Sequence, residues 1–250
     1  MAIGMCCAQA VHALDVEIDG VPANVPTEIA YLGDVMATWA VKRTDQVRWY
    51  RSAQVAAQTA HVQSCREQAR GLTTVRYRLK DLVTRDVADA HRALMRLVES
   101  FEPTGRVLAY GSLDPARIRV DQTLNRRLRP TDRIEILTDP FNRVWTWDVG
   151  AGYQARPHAP TNTAYHYGAD RIDQGFARGD FAYVIDPHGQ VSKVGIARYN
   201  RSNRAIAPGS MVFFPPSGFG RSDQSLFVCI ANAFAFHRYW HEPTGPWWAR

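Results

Sequence analysis

Cysteine is scarce in this chain, with 4 in 250 residues, and no pair has the C-x-x-C spacing. No metal-ligand cluster stands out either. The histidines show no HExxH pattern. His158, His166 and His188 are scattered, while His237 and His241 stand four apart with Pro243 close behind and no third ligand in view. No metal and no cofactor is therefore expected. A P-loop, a GxGxxG turn and a nucleophile elbow are also missing, and no carboxylate pair presents itself as acid and base. No catalytic residue is assigned. Long apolar runs are absent as well: none approaches the roughly 20 residues of a membrane span, so the expected protein is soluble or peripheral.

What is present is an ordinary globular composition, 46% hydrophobic and 22% charged, on a chain long enough for one large or two small domains. The net charge of +6 and pI near 9.3 favour anionic partners such as acidic polysaccharide, phosphate head groups or nucleic acid. The arginines are dispersed rather than gathered in a tail, and a solvated surface also accounts for them.

The opening MAIGMCCAQAVHA is small and apolar, and its Val11-His12-Ala13 end resembles a signal-peptide cleavage site without the charged leader segment. Residues 1–13 are read as a truncated signal remnant, which implies export. Cys6 and Cys7 would leave with it, and Ile3-Gly4-Met5 before Cys6 makes a poor lipobox. Cys65 and Cys229 then remain, able to form one disulfide, although the sequence does not say whether they meet.

Along the chain, residues 14–25 alternate around Asp19-Gly20 as a hairpin. Residues 27–39 form a helical pattern, with Thr27 as N-cap and Ile29, Leu32, Val35 and Met36 on one face. Residues 52–101 read as two helices separated at 71–78, the second with Leu82, Val83, Val87, Ala90, Leu94, Leu97 and Val98 along one stripe. Glu102-Pro103 ends the block. Strands are expected at 106–109, 118–120 and 133–137, with loop between the last two, and Asp139-Pro140 marks a domain boundary. The second half repeats the logic. A strand at 143–149 precedes a Gly/Pro/Asn-rich loop and a short helix within 165–176. Then come a hairpin turning at Asp186-Pro187-His188-Gly189, a strand MVFFP and an amphipathic helix over 223–239. The class is α+β, in two small mixed domains.

Read together, TGRV at 104–107, LDPARIRV at 113–120, NRRLRPTDRIEIL at 125–137, YVIDPHGQVSKVGIARYNR at 183–201 and APGSMVFF at 207–214 resemble the GfcC family of capsule and exopolysaccharide biosynthesis proteins. RWYRSAQ at 48–54 resembles the aromatic segment before that family's helical insertion. VWTWDVGAGYQARPHAP departs from the family's apolar strand, and the tail HEPTGPWWAR runs beyond its expected end. The resemblance implies two β-grasp domains. The first spans residues 14–140, with a helical insertion at about 52–101, and the second spans 141–215; residues 216–250 hold a linker, an amphipathic helix and a tail. It implies a non-enzymatic periplasmic factor in polysaccharide assembly or export, similar to the β-grasp domains of Wza-type exporters. The implied partners are an anionic polysaccharide or such an exporter, and not nucleic acid. A polysaccharide-modifying or -trimming enzyme is the alternative.

Arg106 matches the family's TGR arginine. A guanidinium at a strand start can offer bidentate donors to carboxylate or phosphate, or pair internally and pin the insertion. Arg117 and Arg119, two apart on an expected strand, would share one solvated face. Trp145 and Trp147 also share a strand face, as a sugar-stacking platform or as core. The helix at 223–239 either packs on its own domain or docks to an exporter or a membrane interface.

Overall fold

The computed structural model describes residues 15–18, 21–23, 31–43, 53–57, 59–78, 85–101, 104–107, 113–128, 132–136, 142–173, 180–216, 219 and 223–236. The fold is α+β. Contacts divide the chain into two units, residues 1–55 with 109–139 and residues 56–108 with 140–250. The signal-like start, Thr27 and the tail at 237–250 lie outside the described residues.

In the first unit, β1 (Asp15–Ile18) and β2 (Val21–Ala23) form the antiparallel hairpin expected around Asp19-Gly20. Helix α1 (Leu32–Arg43) starts at Leu32, immediately after a bridge between Tyr31 and Arg127. It buries Leu32, Val35 and Met36, as their spacing predicts. A strand not foreseen, β3 (Ala53–Ala57), pairs antiparallel with β5 (Arg133–Ile136), which itself lies parallel to β1. With β4 (Thr104–Val107), whose residues belong to the second unit, the sheet order is β2-β1-β5-β3-β4.

The segment expected as a strand at 118–120 is instead a short helix, α4 (Pro115–Val120). Its start explains why. The Asp114 carboxylate accepts from the Ala116 N–H at 2.8 Å, and Pro115 occupies the first helical position, where its missing donor costs nothing. Asp121 then caps a following 3-10 turn at 122–124 through the Thr123 N–H. Beyond it, Asn125 Oδ1 accepts from the Gly33 N–H at 2.9 Å, and the Arg126 carbonyl accepts from the Leu32 N–H. These two bonds satisfy donors that the first turn of α1 leaves open. A Cβ at Gly33 would sit 2.9 Å from Asn125 Oδ1 and 3.2 Å from Ile118, so a side chain there would push the Asn125 amide aside. Arg126 also pairs with buried Asp132 at 2.8 Å.

The second unit contains α2 (Thr59–Arg78) and α3 (Arg85–Ser100). Gly71 does not separate them; α2 runs through it to Arg78, with open space around the glycine. Arg66 donates to the carbonyls of Glu99 and Phe101, and His91 Nε2 lies 3.5 Å from the Ala69 carbonyl, which sets the two helices antiparallel. The stripe Ala90, Leu94, Leu97 and Val98 is buried.

The unit's sheet uses β6 (Arg143–Asp148), β7 (Gly152–Pro157), β8 (Phe181–Ile185), β9 (Val191–Gly195) and β10 (Met211–Phe213), in the order β7-β6-β10-β8-β9. The Gly/Pro/Asn-rich composition here predicts a loop, but residues 152–157 form β7, which folds back on β6 through a turn in which buried Asp148 accepts from the Gly150 and Ala151 N–H groups. Strand β10 is parallel to β6 and antiparallel to β8, so both sheets share one order of hairpin, helix and three further strands.

Alternation along the strands feeds two cores. Trp145, Trp147, Tyr183, Ile185, Met211 and Phe213 face one side, with α2, α3 and α6 (Gln224–Phe236). Val144, Ala182, Val184, Val212 and Phe214 face the other, against Ala164 and Tyr167 of α5 (Ala164–Asp173). A disulfide joins Cys65 of α2 to Cys229 of α6, with Cα atoms 5.6 Å apart.

Candidate functional site

Arg106 lies in β4 at the end of the first sheet's strand order, and its side chain is outside the described residues. Arg117 and Arg119 are both exposed, but on α4 rather than on a strand. Two helical residues two apart point to different sides, so they do not form one face. Arg119 Nε turns back to the Pro115 carbonyl at 3.4 Å. Near Arg117, hydrogen bonds from the Thr123 side chain and backbone hold the Asp121 carboxyl below its usual range, with Arg117 adding a smaller pull.

Trp145 and Trp147 do share a strand face, but that face is core. Trp147 is fully buried, and its ring centroid lies 5.4 Å from that of Phe213. A sugar ring has no access to either plane, because helices cover this face of the sheet. On helix α6, Leu226, Phe227, Ile230, Ala233 and Phe234 are buried in the unit's own core, while Val228 is exposed. No described helix is long and apolar enough to cross a membrane.

His61, Cys65 and Cys229 bring possible metal-ligand atoms within 4.8 Å of one another, but the two sulfurs are bonded to each other and hold no ion. His158 and His166 are structural. His158 Nε2 meets the Ile206 carbonyl at 3.0 Å, and His166 Nδ1 accepts from the Thr163 N–H at the start of α5. His188 is exposed in the β8–β9 turn. His237 and His241 lie outside the described residues.

The structure gathers a different set of residues in the loop after β9. Residues 193–204, KVGIARYNRSNR, carry four basic side chains, and no Asp or Glu lies between Asp186 and Asp223. The loop is pinned at both ends. Near β8, the Ile196 N–H donates to the Asp180 carbonyl and Asn200 Nδ2 donates to the same oxygen at 2.8 Å. Asn200 Oδ1 accepts from the Ala197 N–H, and the Ser202 N–H returns to the Gly195 carbonyl. At its far end Ala205 bridges Thr163, and the Ile206 N–H donates to the Asn162 carbonyl.

From this frame Arg198, Arg201 and Arg204 are exposed, and Tyr199 is 76% exposed. The Arg201 guanidinium lies 3.4 Å from the ring centroid of Tyr165 on α5. Tyr199 hydrogen-bonds the Asp180 carboxylate, which pushes its phenol pKa up and keeps it a donor. Lys193 is engaged elsewhere, over Phe181 and with Gln224 Oε1. The basic run was legible in the sequence; its pinning by residues 158–166 and 180 was not.

Gly195 makes the loop possible. A Cβ there would sit 1.9 Å from the Asn200 carbonyl oxygen, a backbone atom that cannot swing aside. Gly195→Ala is expected to displace the 196–202 turn and cost about 1–3 kcal/mol. Faster amide exchange at Ser202, with a lowered denaturation midpoint, would register it; an unchanged exchange rate would contradict it.

No family model matches the chain. A curated relative, the uncharacterized protein YjbG of Escherichia coli (strain K12), is 24% identical over 165 residues. That match covers 66% of this chain and 66% of the relative, so just under two thirds of the relative's length is spanned.

Proposed function

We propose that this chain is a non-enzymatic accessory factor in the assembly or export of capsule or exopolysaccharide, built from two β-grasp domains of the GfcC type and acting by binding. The observation that carries this reading is the repeated sheet order. Each sheet places its first and last strands side by side and parallel, with a hairpin strand on one flank and two further strands on the other. That arrangement is the one expected of a β-grasp domain, and its occurrence twice matches what the sequence resemblance implies. Fold alone does not assign a function, so the reading also draws on chemistry.

The Cys65–Cys229 disulfide supports a location outside the cytoplasm, because such bonds persist in oxidising compartments. A periplasmic location agrees with the signal-like start. The proposed partners are an anionic polysaccharide, a Wza-type exporter, or both. The test is deletion of the gene followed by quantification of surface polysaccharide. Surface polymer should fall severalfold, and a tagged copy should co-purify polymer or exporter from envelope extracts. An unchanged polymer level overturns the proposal.

A further inference from the structure

We infer that the pinned loop at 196–206 is a binding surface for a carboxylate-bearing polysaccharide, with Arg198, Arg201 and Arg204 as anion contacts and Tyr199 as the sugar contact. The inference rests on the proposed polysaccharide role and gives it a place on the molecule, one distinct from Arg106.

Four observations carry it. First, the three guanidiniums fall within seven residues of a loop that holds no acid of its own. Among the described residues Arg198 and Arg201 have no carboxylate partner, and Arg204 reaches only the Ser192 hydroxyl, at 3.5 Å. The nearby acids are otherwise engaged: Asp180 receives the Tyr199 hydroxyl, and Asp170 faces Arg156 at 3.4 Å. Second, the backbone bonds to Asp180 and Asn162 fix the loop before any ligand arrives, which lowers the ordering cost of binding. Third, Arg201 is held by its π-face against Tyr165. Stacking of that kind leaves the in-plane N–H donors of a guanidinium free for a carboxylate fork.

The fourth is Tyr199, the most exposed aromatic ring among the described residues. An exposed ring beside cations fits a ligand with both apolar faces and negative charge. Acidic sugars and nucleotides share that description. The disulfide in this same unit favours an oxidising compartment, where acidic glycan rather than nucleic acid is the anionic polymer at hand.

The test uses the full-length chain with polygalacturonate as the probe, dextran as the uncharged control and single-stranded DNA as the competing class, by isothermal titration at low and moderate salt. Polygalacturonate should bind, dextran should not, and affinity should fall as salt rises. The triple variant R198A/R201A/R204A should lose roughly tenfold in affinity, since exposed charge contacts are each worth well under a tenfold factor. Y199A should lose about threefold while keeping the charge. Both variants should keep the wild-type melting midpoint, because the replaced side chains are exposed. Equal affinity of variants and wild type overturns the loop assignment, and tighter binding of DNA than of polygalacturonate overturns the glycan assignment. Complementation separates the two levels of inference. A deletion strain with reduced surface polymer that the triple variant restores in full refutes the loop and leaves the export role standing. A deletion strain with unchanged polymer refutes the export role and leaves the titration to decide the loop.

Discussion

Removing the Cys65–Cys229 bond is expected to destabilise the second unit by about 2–5 kcal/mol. The bond closes a loop with a sequence separation of 164, so the reduced unfolded chain regains a large amount of conformational freedom. The folded state also relies on it locally. It fastens α6, which supplies Leu226, Phe227, Ile230 and Phe234, to α2, which supplies Val62 and Ala69 to the same core. Both sulfurs lie in buried residues, so alanine is the cleaner replacement; serine would add a hydroxyl needing a partner. The double variant C65A/C229A, followed by intrinsic tryptophan fluorescence in a urea titration, should show a lower midpoint and a native-like circular dichroism spectrum in buffer. Dithiothreitol should lower the wild-type midpoint comparably and leave the double variant where it is. Identical midpoints with and without reductant would refute a stabilising role. They would also weaken the argument for an oxidising compartment.

How far the sequence disclosed this architecture depended on where the deciding interaction sits. Hairpins with local turn chemistry were legible: Asp19-Gly20 and Asp186-Pro187-His188-Gly189 join the strands expected on either side. In the latter turn Gly189 adopts φ 84°, which favours glycine, and the Asp186 carboxylate accepts from Gln190. The stripe of α3 and the apolar face of α6 were legible for the same reason, since their spacing is written in consecutive turns. Strand β3, AQVAA, was not, because alanine and glutamine carry little strand preference and only its pairing with β5 makes it a strand. Helix α4 resembles a strand in sequence because six residues are too few to show a helical period, and alternating Arg and apolar residues imitate a strand. Its true signal was Asp114-Pro115, an N-cap followed by proline, which also serves as a turn signal. Among the site candidates, the types of residue were visible but not their surroundings. Nothing in VWTWDV says that helices cover the tryptophans, and nothing in ARYNRSNR says that the Asp180 and Asn162 carbonyls hold it still.

Replacing Trp147 by alanine is expected to cost about 3–5 kcal/mol, the range for emptying a fully buried large aromatic site. Trp147 stands in β6 between Tyr153 of β7 and Phe213 of β10, and Phe213 in turn contacts Tyr183, Phe227 and Phe234. Removing the indole therefore opens a void where strands from the sheet and helix α6 meet. Such a site collapses poorly, because the sheet ladder on both sides fixes its backbone. Trp147→Phe should cost much less. It keeps most of the ring volume, and it removes an indole N–H that meets no acceptor among the described residues. The two substitutions distinguish core from platform. If Trp147 packs the core, urea midpoints should fall steeply for alanine and slightly for phenylalanine, while the affinity of Trp147→Phe for polygalacturonate stays at the wild-type value. A sugar-stacking residue would do the opposite, holding the midpoint and losing affinity in the alanine variant. That second pattern would show that the face bearing Trp145 and Trp147 opens to ligand, and the buried core described for the second unit would have to be redrawn.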